Sequence, residues 1–144
     1  MADVKVYFDH KWMGTEGGGP GSESCWAESL GQGQYAKLAN TPFFAYGATL
    51  GDVVEITSDG DVLRVENDGG RRSARLMMAD GTPLEWVSDI IRGEFGLGRD
   101  ETAGEGAAGI LYAVTYPAAK QDDAVALFDR LVERGLVSAW EQSK

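Results

Sequence analysis

The chain has one cysteine and one histidine in 144 residues. A lone cysteine excludes an intrachain disulfide and any cysteine-based metal cluster, and it points to a reducing, cytoplasmic setting. His10 by itself would need carboxylates scattered over the chain to complete a metal site, so neither metal nor cofactor is expected. Basic residues are also scarce: 13 Lys and Arg stand against 23 Asp and Glu, for a net charge of −10 and a pI near 4.4. Nucleic acids and anionic membranes recruit partners through a positive field, so neither is expected to bind. Long hydrophobic runs are missing too. The opening "MADVKVYFDHKW" has no apolar core of signal-peptide length, and no stretch approaches the roughly 18 apolar residues of a membrane span.

What is present is the composition of a folding domain, 43% hydrophobic and 25% charged. A chain of this size can bury roughly 68–70% of its unfolded surface without a covalent staple. The acid excess is concentrated early. Residues 1–70 hold 11 acids and 4 bases, and residues 71–144 hold 12 acids and 9 bases. Such an excess is either a solubilising surface or a face that meets a basic partner.

The first half reads as β structure. "VKVYF" (residues 4–8) alternates with period two. "GTEGGGPGS" (14–22) has too much glycine for a regular element and reads as a mobile loop. "ESCWAESL" and "QYAKLA" flank Gly31-Gln32-Gly33 as a hairpin, and "DVVEI" and "VLRVE" are joined by the turn "TSDGD". "RRSARLMMA" (71–79) continues with Ala74, Leu76 and Met78 on one face. These short strands predict a bent sheet or partial barrel.

The period then changes. Thr82 as N-cap, Pro83 at the first helical position and Glu85 three residues after the cap start a helix. Leu84, Val87, Ile91 and Phe95 follow at helical spacing, widened by Trp86 and Ile90. Residues 96–109 read as a loop or weak edge strand, and "ILYAVTYP" (110–117) as a central strand. A second helix places Ala124, Leu127, Phe128, Leu131 and Val132 on one face and stops at Gly135. "LVSAW" closes the chain as a strand. The predicted fold class is α+β: a β-rich lobe over 1–70 continuing into a ferredoxin-like, split βαβ lobe over 71–144.

Little of this carries chemistry. A Cys25–His10 thiolate pair lacks a third, orienting group, and Cys25 fits the role of a small buried hydrophobe. "GEGAAG" (104–109) matches a dinucleotide-binding string, but a strand follows it where the motif needs a helix. The pairs Glu85/Asp89 and Asp122/Asp123 suit helix starts and solvent. Trp26, Trp86 and Trp140 fall inside elements and are expected in the core, whereas Trp12 beside the glycine loop is a candidate anchor for a partner. In residues 41–52, Pro42, Gly47 and Gly51 bend the chain around Phe43, Phe44 and Tyr46, leaving Tyr46 as a polar handle.

Taken together, "CWAESL", the glycine hairpin, "ANTPFFAYG", "GDVVEI" and a late "P…L…G…W" resemble an uncharacterised family of small bacterial proteins. That family is classed as a domain of unknown function, and the likeness spans residues 24–142. Its usual phrase has an aliphatic residue where Thr41 stands here. The resemblance implies no established activity and no catalytic residues.

Two functional expectations follow. The first is a non-enzymatic cytoplasmic protein-binding module, an inhibitor or immunity protein against a basic bacterial effector, binding through Trp12, Tyr46, Asp9, Glu16 and Glu23. The second is a small-molecule binder or small enzyme using a groove between the lobes lined by Cys25, Tyr46 and Tyr112.

Overall fold

The computed structural model describes residues 3–13, 21–95, 101–106 and 109–144. Much of the "GTEGGGPGS" stretch, including Glu16, lies outside the described residues. Five strands form an antiparallel meander in sequence order: β1 (Asp3–Phe8), β2 (Glu23–Leu30), β3 (Tyr35–Leu38), β4 (Val53–Ile56) and β5 (Val62–Asn67). Alternation turns Val6, Phe8, Cys25, Ala27, Ala36, Leu38, Val54 and Val62 inward. Many of these side chains are small, so the concave face can close tightly, and register shifts at Val53/Val54 and Glu55/Ile56 bend β4 and β5 further. The sheet curls until its edges touch at one bridge, Tyr7 to Asp61. It does not close into a barrel.

The second sheet is built from β6 (Arg71–Met78), β7 (Glu101–Gly106), β8 (Gly109–Pro117) and β9 (Val137–Gln142), in the spatial order β7-β8-β6-β9 with every neighbour antiparallel. The strand left open by the sequence is therefore present as β7. Helices α1 (Leu84–Phe95) and α2 (Gln121–Glu133) cover one face. Ala74, Leu76 and Met78 of β6 and Tyr112, Val114 and Tyr116 of β8 pack there against Val87, Ile91, Leu127, Phe128 and Leu131. The end of α2 is fixed by Gly135 at φ 73°, with Gly135 N–H on the Val132 carbonyl and Leu136 N–H on the Leu131 carbonyl. That is the paired capping pattern favoured by a left-handed glycine.

Two tryptophans depart from expectation. Trp26 is 52% exposed, because Cys25 and Ala27 take the inward positions of β2 and period two turns the residue between them outward. Trp86 is 58% exposed, since Val87, Ser88 and Ile91 hold the buried face of α1. Trp140 is half-buried, 5.2 Å from Phe128, and its indole N–H donates to Asp129 at 2.9 Å.

The backbone approach of residue 69 to residue 51 sets a strict size limit. A Cβ on Gly69 would lie 2.6 Å from the Gly51 carbonyl oxygen. Gly69→Ala should therefore cost about 2 kcal/mol or more through backbone displacement. Gly93 is helical, with open space around it and no positive φ, so Gly93→Ala should stabilise by about 0.5–1 kcal/mol. Denaturant midpoints of the two variants should move in opposite directions; a shift of both the same way would contradict this packing.

Candidate functional site

The segment 41–52 lies between the sheets and is gripped from both. From β2, the Glu23 carboxylate accepts three successive backbone N–H groups: Phe43 at 2.5 Å and Phe44 and Ala45 at 2.9 Å. Backbone donors arranged in this way satisfy a carboxylate's lone pairs without a cation. From the other side comes Arg75 of β6. Ala74 and Leu76 face the helices, so Arg75 projects from the reverse face of its sheet, where it is only 4% exposed. Its guanidinium donates to the Ala45 carbonyl, stacks 4.6 Å from the centre of the Tyr46 ring, and lies 3.5 Å from its cross-strand neighbour Glu141. Tyr46 completes the ring by donating to Glu141 at 2.8 Å. Burial lowers the Arg75 pKa and Glu141 opposes that shift. Burial also raises the Tyr46 pKa, as does the bond to Glu141.

Hydroxyls fill the next row. Thr115 of β8 bonds to Thr41 and, at 3.0 Å, to Thr49, while Ser73 meets Ser143 at 2.8 Å. Beyond them Asp52, fully buried, accepts Thr49 N–H at 2.9 Å, Gly69 N–H at 2.8 Å and the Lys144 ammonium at 2.6 Å. Sequence inspection missed Arg75, Glu141, Asp52 and Lys144. One signal was available for Arg75: a single charge inside the apolar run "ARLMM" cannot face the helices.

The residues nominated from sequence are dispersed. Trp12 is half-buried against Phe8, 5.3 Å away and edge-on, with its indole N–H donating to the Val62 carbonyl at 3.2 Å. Asp9 caps the short turn His10–Trp12 by accepting Lys11 N–H. Glu23 and Tyr46 belong to the segment just described. Cys25 sits in the core of the first sheet and Tyr112 in the core between the second sheet and its helices, so they do not meet Tyr46 in a common groove. His10 is exposed whereas Cys25 is buried, which keeps them from acting as a pair. Among the described residues no three of His, Cys, Asp and Glu converge as metal ligands. No described helix is long and apolar enough to cross a membrane. Gly104 to Gly106 end β7 and Gly109 opens β8, so among the described residues the glycine string is followed by a strand and not by a helix.

The outward face of the first sheet is a different kind of surface. Tyr7 (42% exposed) and Trp26 lie diagonally across β1 and β2. Lys5 rests 5.1 Å from the Trp26 ring centre, and Asp3, Glu28 and Lys37 form a row of mixed charge alongside. At one end of this sheet an open depression of about 280 Å³ is lined by Val4, Lys5, Ser29 and the β4–β5 turn. It contains none of the residues nominated for the groove.

Two measurements check this geometry. Burial, reinforced by Glu23, pushes the Cys25 thiol up to about 12 from its ordinary 9. The folded state keeps this proton longer than the unfolded state does, so the contribution is fully present below pH 9. It is lost as pH rises from 9 towards 12. Cys25→Ala should flatten part of the alkaline fall in unfolding free energy; an unchanged slope would contradict the assignment. Arg75→Met should cost about 1–3 kcal/mol, because the buried Ala45 carbonyl loses its donor, whereas Glu141, 52% exposed, can be hydrated. Tyr46→Phe, at the rim, should cost less than about 1 kcal/mol in the same denaturant titration.

Among curated proteins, none matches this chain. A crystal structure of a hypothetical protein from Neisseria gonorrhoeae is similar in fold, with a TM-score of 0.72 at 16% identity, covering 99% of this chain and 95% of that one. At that identity the likeness is one of fold alone. The family model described as "Domain of unknown function (DUF4265)" matches residues 23–141, which take in β2 through most of β9 and so both sheets. The chain belongs to the DUF4265 family.

Proposed function

We propose that the protein is a non-enzymatic binding module whose contact surface is the outward face of β1 and β2, and whose partner is a basic protein. The observation that carries this is the exposure of Trp26 and Tyr7 as diagonal neighbours on one sheet face. Leaving large aromatic area in water forfeits about 1.5–3 kcal/mol per side chain of that size. Trp and Tyr are also the residues that most often dominate binding energy at protein interfaces. The mixed charges around them suit a polar rim, and the net charge of −10 would steer a basic partner from a distance. An inhibitor or immunity protein acting on a basic effector in the cytoplasm fits this reading. For the C-terminal half we propose the ferredoxin-like arrangement: the chain order β6-α1-β7-β8-α2-β9 and the sheet order β7-β8-β6-β9 support it.

Trp26→Ala separates binding from folding. The side chain is mostly in solvent, so the unfolding free energy should change by no more than about 1 kcal/mol. Affinity for a partner captured on the native protein should fall by about 2 kcal/mol or more, read by titration calorimetry. Equal affinity in the folded variant, or a captured partner that is strongly acidic, would overturn the proposal.

A further inference from the structure

The two hydrophobic clusters have no residue in common: one lies inside the first sheet and the other between the second sheet and its helices. Much of what joins the halves is polar. Besides Arg75, the junction includes the Thr41, Thr49 and Thr115 hydroxyls, the Gly47 N–H on the Ser143 carbonyl at 2.9 Å, and the Asp52–Lys144 pair. A hydrogen-bonded plane opens at small net cost, because water can replace each bond once it is exposed. Interfaces of this polar kind are the places where parts of a chain move relative to one another.

Residues 141–144 run along that plane and alternate their contacts. Glu141 holds Arg75 and Tyr46. Gln142 donates to Tyr116 and to the Ser73 carbonyl. Ser143 bonds Ser73 and receives the Gly47 amide. Lys144, 12% exposed, places its ammonium on the fully buried Asp52 and 3.4 Å from Asp68. The segment is hydrogen-bonded to its own half and reaches the other half through the Glu141 and Lys144 side chains and the Ser143 carbonyl. Asp52 is the point where closure depends on charge. In the closed state its carboxylate is out of water, and without the ammonium it would keep only two amide donors there. Opening would rehydrate it.

We propose that residues 141–144 are a strap and that the Asp52–Lys144 pair is its lock, so that loss of the lock lets the two halves part while each keeps its own core. The test is native-state hydrogen exchange on the full chain, comparing the native protein with Lys144→Met and Lys144→Arg. With Lys144→Met, exchange at the Gly69 amide, bonded to Asp52, and at the Gly47 amide, bonded to Ser143, should accelerate together by about tenfold or more. Amides in the middle of β2 and β8 should keep their protection, and Lys144→Arg should exchange like the native protein. Gly47 does not touch Asp52, so its response distinguishes opening of the plane from loss of one contact. An unchanged Gly47 amide, or the same acceleration throughout β2 and β8, would overturn the strap.

Discussion

The arrangement depends on the burial of one cation. Arg75 stands in a strand whose other face is packed with Ala74, Leu76 and Met78 against two helices, so it has no route to solvent on that side. A guanidinium taken out of water must be met by acceptors and π density, or its desolvation is uncompensated. The Ala45 carbonyl, the Tyr46 ring and Glu141 meet it. To present that carbonyl, residues 43–45 must be held in place, and Glu23 does so from the opposite sheet by collecting their three amides. The bend at 41–47 is thus less a feature of its own sequence than a part clamped between an anion and a cation.

The rest of the junction follows the same economy. Where apolar side chains could have welded the sheets, there are threonine and serine hydroxyls and a buried ion pair. Each core is densely apolar and each is separate from the other. Hydrophobic burial is therefore concentrated within each half, and directional bonds act between halves. Directional bonds define one relative placement closely, yet they lose little when water substitutes for them. Such a junction is specific in geometry and modest in strength, which is the setting a strap requires.

Surface and junction also divide the aromatic residues. Trp12, Phe8, Phe128, Tyr116 and Trp140 contribute to the cores. Trp26, Tyr7 and Trp86 do not. On β1 and β2 the exposed aromatics share one face, with Lys5 lying over the Trp26 ring. The cation covers part of the ring and keeps its own head solvated, which lowers the cost of leaving the tryptophan exposed.

Local patterns in the chain specified most of the elements. Period two gave the inward sets of β1 and β6; the 3.6-residue period gave most of the buried stripes of both helices; Gly135 marked the end of α2. Those signals are legible because each arises from neighbours within a few residues. The strand β7 was harder to read, since "ETAGEG" has neither alternation nor bulk and is held by the ladder to β8. Trp26 was misplaced by weighing its size above its position between two inward residues. Periodicity can say that Arg75, Thr115 and Asp52 leave the apolar face, but not what they meet on the other side. Their partners lie 30, 66 and 92 residues away. Only the stacking of one sheet against the segment from the other brought those groups within bonding distance, and so tertiary structure alone decided that the charges scattered through this acidic chain would become its junction.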